Sequence, residues 1–313
     1  MSETGVCLEL FLSWLNQAHE RGFRLQGAEG PSVLASDEQT RLVIEVRSLH
    51  DPPLDAAWLA ARERLQERLS ATLPGGSYAF WVPAGADLPG EGSESDAFVE
   101  HVRRAALKLG PRERSQVALP IPLYLRKTSE SGGVVSVAGG LNAYWARFTE
   151  FVRGTYDLDS RRLHRLPERE GHLQELIDRI IERAKELAPG QATEIETVDS
   201  WTIQRLLGEP GFTIIGAPPQ ETADMGLAVR RNFRRMLAEA GKRLAGEDAA
   251  LRALLAVGYY PRIEQEGATT AMRGYHPATY SGIDFVCLVA DGLVKPLILP
   301  PAGLLPWNRP ASP

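Results

Sequence analysis

The stretch PSVLASDEQTRLVIEVR, residues 31–47, decides how the rest of the chain is read. Two apolar-rich runs, residues 32–36 and 42–46, flank the polar turn Asp37-Glu38-Gln39-Thr40 and read as a β-hairpin. If that turn sets the register, Ser32 lies directly opposite Glu45. Period-two alternation then puts Glu45 and Arg47 on one face of the second strand, residues 41–48, with Leu42, Ile44 and Val46 on the other.

Around this hairpin the chain has the make-up of a globular protein. Of 313 residues, 43% are hydrophobic and 24% charged, and the length suits two domains. No apolar run is long enough to span a bilayer, and the opening MSETGVCLEL lacks the basic head of a signal peptide. Cys7 and Cys287 stand far apart and unaccompanied, so neither a disulfide framework nor a CxxC metal knuckle is expected, and a reducing cytoplasm is the expected compartment. The net charge of −5 argues against a coat protein for nucleic acid. Its distribution is uneven, however. Residues 103–127 hold seven basic side chains and one acidic, and residues 230–243 hold six basic and one acidic. Such clustering on an acidic protein predicts a local anion-facing surface, with solvated helix faces as the plainer alternative.

Taken in order, the pattern predicts a helix over 8–20 with Leu8, Phe11, Leu12, Leu15 and His19 on one face. A short strand, 23–26, precedes the hairpin. The breaker His50-Asp51-Pro52-Pro53 leads into an amphipathic helix over 54–71 and a buried strand over 78–83. Hairpin, helix and strand together predict a crossover that sets 78–82 parallel to a hairpin strand in a mixed sheet. A polar loop (84–95), a helix (96–109), a hairpin (117–127 with 134–138) and an aromatic helix (142–152) follow. The polar segment 156–170 reads as a loop, which sets a domain boundary between residues 165 and 166. Beyond it come a helix over 172–188, a short helix over 201–208, a strand over 212–216 and the strongest amphipathic helix, 226–244. That helix turns Val229, Phe233, Met236, Leu237, Ala240 and Leu244 inward and Arg231, Arg234, Arg235 and Lys242 outward. A segment over 251–260 that is strand-like at its end, followed by 262–266, and a hairpin, 283–290 with 293–299 about Asp291-Gly292, complete the second part. The Pro-rich tail, 300–313, is expected to be extended with Trp307 as an anchor. The fold class is thus α/β, in two α/β domains, 1–165 and 166–313. A strand, Pro-Pro, helix, strand grammar occurs in both halves, at residues 42–83 and 212–261.

The elements about residues 31–47 resemble the restriction-endonuclease-like fold, the PD-(D/E)XK nuclease superfamily. In that family an Asp on the second strand and an acidic-X-Lys triplet on the third converge on divalent metal. An acidic residue of the leading helix often joins them. Here Pro31-Ser32 stands at the Pro-Asp place and Glu45-Val46-Arg47 at the acidic-X-Lys place, with Glu9 or Glu20 as the helix candidate. The resemblance covers residues 7–83. Ser32 in place of a carboxylate is a poor ligand for Mg²⁺, and Arg47 keeps positive charge for a phosphate but cannot titrate as Lys does. The resemblance therefore implies a non-cleaving member whose remnant site is Glu45, Arg47 and Ser32, holding no metal. The plainer reading of Glu45 and Arg47 is the solvated face of an ordinary strand. The hairpin at 283–299 resembles the family's Asp-bearing hairpin at Gly282-Ile283-Asp284. Its return strand carries Leu297 and Leu299, with Leu299 expected to face Asp284. A composite of Asp284 with Glu45 requires the two halves to pack face to face.

Other chemistries lack their motifs. There is no GxxxxGK(S/T) phosphate loop, no GxGxxG after a strand, no GxSxG elbow and no HExxH. The expected function is binding of DNA or RNA, or of a protein partner that handles nucleic acid, in a bacterial defence or DNA-processing complex by analogy with the family. Arg103, Arg104, Arg112, Arg114, Arg231, Arg234, Arg235 and Lys242 are the candidate phosphate contacts. Two alternatives stand beside it. One is a Mg²⁺-dependent nuclease with a rearranged site drawn from Glu45, Asp37 or Asp284, Arg47 and a helix Glu. The other is a structural adaptor.

Overall fold

A computed structural model of the protein describes residues 1–27, 32–49, 55–167, 169–218, 225–258 and 275–308. The chain is α/β, and its described residues form two mixed six-stranded sheets and six α-helices. In chain order the elements are α1 (Glu3–His19), β1 (Arg24–Leu25), β2 (Ser32–Ser36), β3 (Arg41–Leu49), α2 (Ala56–Thr72), β4 (Ser77–Trp81) and α3 (Ser93–Ala106). Then come β5 (Arg114–Ser129), β6 (Gly133–Gly139), α4 (Trp145–Phe151), β7 (Gly154–Ser160), α5 (Glu170–Glu186), β8 (Ala192–Leu206) and β9 (Gly211–Ile215). The last are α6 (Met225–Leu244), β10 (Leu251–Gly258), β11 (Phe285–Ala290) and β12 (Leu293–Ile298). One sheet runs β1-β2-β3-β10-β11-β12 and the other β6-β7-β5-β8-β4-β9.

The chain divides into two compact units, and neither is continuous. The first holds residues 1–88, 109–114 and 204–313, and the second holds 89–108 and 115–203. Residue 165, where the sequence reading sets its boundary, falls within the second unit. The second unit is an insertion in the first, because the strands that complete the first sheet lie some 200 residues beyond β3 in sequence.

In the first unit the hairpin forms as its turn chemistry dictates. Asp37 Oδ1 accepts from the backbone N–H groups of Gln39 (2.9 Å) and Thr40 (2.7 Å), an Asx turn that fixes the register. Ser32 pairs with Glu45, as the sequence predicts. The expected crossover is a different one. β3 is flanked by β10, parallel to it with Ile44 opposite Ala253 and Glu45 opposite Leu254. β4 instead runs parallel to β9 in the other sheet, Phe80 opposite Ile214. The helix returning to β3 is therefore α6, not α2, which packs on β9 and whose Gln66 side chain accepts at Oε1 from the Ile214 N–H at 3.0 Å. The two strand-helix-strand segments with similar grammar thus carry the chain between the sheets in opposite senses. A short apolar strand cannot declare its neighbour from local pattern, and β4 and β10 are both short and largely apolar.

Helix α1 is buried on more than the one predicted face. Val6, Cys7 and Leu10 are buried along with Leu8, Phe11, Leu12 and Leu15. They share a core with Leu42 and Ile44 of β3, Ala253 and Leu255 of β10, and Ala79, Trp81 and Ile215 of β4 and β9. Leu305 enters this core, and Trp307 stacks near His19, Phe23 and the Arg21 guanidinium. The tail is therefore packed in 3₁₀ turns over 302–308 rather than extended. The opposite face of the first sheet is covered by α6, whose Val229, Phe233, Leu237, Ala240 and Leu244 meet Val43, Leu254, Val286 and Leu288.

The hairpin of β11 and β12 turns at Asp291 (φ 54°) and Gly292 (φ 74°), both left-handed as a type I′ turn requires. A bulge after Val286 pairs that residue with Ile298 and shifts the register by one. Leu299, expected opposite Asp284, lies beyond the end of β12.

In the second unit, α4 and α5 cover one face of the strands β5, β6, β7 and β8 through Phe148, Val152, Leu176, Ile177 and Ile180. Two expectations change here. The segment read as a loop from 156 contains β7, and β7 lies between β5 and β6, so those two do not form a hairpin. Glycine makes room for the intervening strand. A Cβ at Gly154 would stand 2.6 Å from the Ser129 carbonyl oxygen, and one at Gly139 would stand 2.3 Å from the Ser160 carbonyl carbon. The segment read as a helix from Trp201 is the end of strand β8. Trp201, Thr202, Ile203 and Gln204 are all buried, and burial on both faces leaves no alternation to read. The breaker at 50–53, the segment 262–266 and the residues 309–313 of the tail lie outside the described residues.

Candidate functional site

Glu45 occupies the middle of β3 with Ser32 on one side and Leu254 on the other. Its side chain points to the α6 face, where the surroundings are Val43, Leu254, Leu237, Ala240 and Leu244. No part of it is exposed. An isolated carboxylate in such a place would lose several kcal/mol of hydration, and two guanidinium groups offset that loss. Arg47 donates from Nε to Oε1 at 2.5 Å. Arg243, in the last turn of α6, grips both oxygens, Nε to Oε2 at 3.1 Å and Nη2 to Oε1 at 2.5 Å. The cluster carries a net charge of +1. The face that reads as solvated from sequence is thus roofed by a helix, and the carboxylate is a buried counter-ion.

Helix α6 delivers Arg243 because its apolar stripe docks on the sheet and leaves residue 243 at the flank of that stripe. A cation there also suits the negative end of the helix dipole. Beside it Arg252 donates from Nε to the Leu244 carbonyl (2.7 Å) and from Nη2 to that of Glu247 (3.0 Å), closing the end of α6.

Among the described residues no second carboxylate joins Glu45. Glu9 belongs to α1, on the other side of the sheet, and accepts from the Leu207 N–H at 2.7 Å. Glu20 is the exposed, left-handed cap of α1 (φ 52°). Asp37 is held in the hairpin turn and paired with Arg21. Burial pulls its carboxyl up, but the Gln39 N–H, the Arg21 guanidinium and the Thr40 N–H together hold it below the ordinary value of 3.8. Asp284 shares the sheet and the face with Glu45, so the two need no face-to-face packing of halves to be on one surface. Asp284 pairs with Arg252, however, two strands across and two residues along from Glu45. That is roughly 12 Å at sheet spacings. Among the described residues no three His, Cys, Asp or Glu side chains assemble to hold a metal ion. With both oxygens of Glu45 engaged by cations, the cluster does not fit Mg²⁺.

The candidate phosphate contacts divide. Arg103 and Arg104 belong to the second unit and pair with Glu100 across one turn of α3, at 2.9 and 3.3 Å. Arg114, in the first unit, donates from Nε to the Asp291 carbonyl and from Nη2 to its carboxylate, both at 2.9 Å, and so pins the β11–β12 turn. Arg112 is exposed on a left-handed backbone (φ 64°). Arg231, Arg234, Arg235 and Lys242 are all exposed on the outer side of α6. Arg234 lies over the Tyr275 ring at 5.2 Å, and the Tyr275 hydroxyl donates to the Arg230 carbonyl at 2.6 Å.

Two groups escape a sequence reading. Arg243 falls within the basic run, but nothing local marks it as the partner of a carboxylate 198 residues earlier. In the second unit His164, which belongs to no motif, donates from Nδ1 to buried Asp199 at 2.8 Å. Asp199 also accepts from the Trp201 indole (2.8 Å) and the Arg165 N–H (2.9 Å). The carboxylate there is a structural hub that ties the segment before α5 to β8. No protein-family model, no curated protein and no solved structure matches the chain.

Proposed function

We propose that the chain is a non-cleaving relative of the PD-(D/E)XK nucleases that binds nucleic acid along the outer side of α6. One observation carries the reading. Arg231, Arg234, Arg235 and Lys242 project from one exposed helix side that bears a single acidic residue, Glu239. Cations at this spacing along 17 Å or so of helix match the repeat of a phosphate backbone well enough for several simultaneous contacts. The Glu45 cluster supports the non-cleaving part, because its carboxylate oxygens are taken by Arg47 and Arg243 rather than open to a cation. The test is oligonucleotide binding followed by fluorescence anisotropy over a salt series. About four phosphate contacts predict a log–log slope near −3, and R234A/R235A/K242A should flatten it by about 2 to 3. No binding at low salt, an unchanged slope in the triple variant, or Mg²⁺-dependent cleavage abolished by E45Q would overturn the proposal.

A further inference from the structure

We infer that Arg47, Arg243 and Ser32 form a seat for a single phosphate monoester, separate from the polyanion surface on α6. Glu45 is wholly buried, whereas the side chains of Arg47 and Arg243 are 34% and 37% exposed. Each guanidinium therefore has one edge turned inward to the carboxylate and one turned outward. Arg47 spends only Nε on Glu45, which leaves both of its Nη groups without a partner among the described residues. Arg243 spends Nε and Nη2, which leaves Nη1. Ser32 stands directly across from Glu45 and on the same face, so its hydroxyl adds a fourth donor beside them.

The buried carboxylate gives this arrangement its character. Free arginines on a surface lose much of their binding energy to side-chain ordering, but here both forks are already fixed by charge-assisted bonds before a ligand arrives. The net charge of +1 attracts an anion and repels a divalent cation. Four donors converging from two guanidiniums and a hydroxyl suit a tetrahedral group with three free oxygens, as in a monoester, better than a diester with two. Among the described residues, two acidic groups of the same unit are engaged elsewhere. Asp248 pairs with Arg41, Asp284 accepts from the Arg252 N–H, and the end of α6 is closed by Arg252. The monoester could be the terminal phosphate of a strand or free inorganic phosphate, which present the same oxygens.

The experiment uses the whole chain at low ionic strength. Inorganic phosphate is titrated while the guanidinium ¹⁵N resonances of Arg47 and Arg243 are followed, assigned with R47K. A 5′-phosphorylated dinucleotide and its 5′-hydroxyl counterpart, both too short for the α6 surface, are compared by calorimetry. The inference expects both arginine signals to move with phosphate. It also expects R47Q, which leaves the Glu45–Arg243 pair in place to preserve the fold, to weaken phosphate binding about tenfold or more. A preference for the phosphorylated dinucleotide assigns the seat to a strand end, and its absence with phosphate still bound assigns it to the free ion. Both support the seat. Motionless arginine signals in saturating phosphate, or R47Q without effect, overturn it. A protein that binds phosphate here but no long oligonucleotide keeps the seat and loses the α6 reading. The opposite result keeps the reading and removes the seat.

Discussion

Replacing Glu45 by Gln should change sign according to which arginines accompany it. In the native chain the carboxylate accepts three charge-assisted bonds, and each such bond contributes about 1.5–3 kcal/mol when its removal is compared in isolation. E45Q does not lose that sum. The guanidiniums left behind are each about a third exposed, so they recover hydration, and the expected loss is about 1–2 kcal/mol. R47Q/R243Q is the costly change, because it strands a carboxylate with no exposed surface, at about 3–5 kcal/mol. Adding E45Q to that pair should then return about 2 kcal/mol or more, a reversal that exposes a coupling of about 3–4 kcal/mol. The assay is denaturant-dependent hydrogen exchange at the amides of Ile44 and Leu254, which reports opening of this sheet without mixing in the second unit. If E45Q destabilises equally in both backgrounds, the arginines do not hold the carboxylate and the account of the cluster is wrong.

Three further outcomes follow from other parts of the chain. Asp37 has its folded pKa below 3.8, so its contribution is fully present above that pH and is lost as pH falls through the folded value. D37N should cost about 1 kcal/mol or somewhat more at pH 7 and nothing at the acid end, and a pH-independent difference between the two proteins in urea would refute the assignment. Gly139→Ala, with positive φ and a Cβ aimed at the Ser160 backbone, should cost about 3 kcal/mol or more. Gly27→Ala, with positive φ but open space, should cost about 1–2 kcal/mol, and equal calorimetric shifts would contradict the packing argument. Burial pushes the Cys287 thiol up to about 12 and raises that of Cys7 well above its usual value, with the nearby Glu3 charge adding to the rise for Cys7. Iodoacetamide at pH 8 should therefore label neither cysteine until the chain unfolds, as mass spectrometry would read.

What could be read from sequence was what is local. The hairpin at β2–β3 and its register follow from an Asx turn and a period of two, and the β11–β12 hairpin follows from Asp-Gly at a position demanding left-handed backbone. The inward stripe and outward cations of α6 follow from helical spacing alone. What failed was pairing at a distance. β4 and β10 are both short and apolar, and nothing in SYAFW or LRALLAVG names the strand beside which each will lie. Burial on two sides erased the other signals. α1 shows apolar residues beyond one stripe because it packs on more than one surface, and the end of β8 shows no alternation because neither face meets water. The hairpin expected from β5 and β6 has a local turn signal, but β7, with its glycine contacts, lies between the two strands and pairs with both.

The same non-local choice sets the sign of the charge at Glu45. Had α2 been the helix returning to β3, its last turn would have brought no basic residue, and Glu45 would have met Arg47 alone in a neutral pair. Such a carboxylate keeps a free oxygen, and a cation beside it is tenable. Because α6 returns instead, its last turn brings Lys242 and Arg243, both oxygens are occupied, and the cluster becomes cationic. The residues read at positions 32, 45 and 47 are unchanged between these two cases. Their chemistry is decided by which helix lies over them, and that depends on whether β3 takes β4 or β10 as its parallel neighbour. Swapping the end charges tests this directly: R243E should drive the chain to unfold or to expose Glu45, since it replaces a counter-ion by a second anion against a buried one. Coexpressed E45R/R243E changes should recover part of the loss if the contact between strand and helix is the one described, and should recover none if β3 lies under another element.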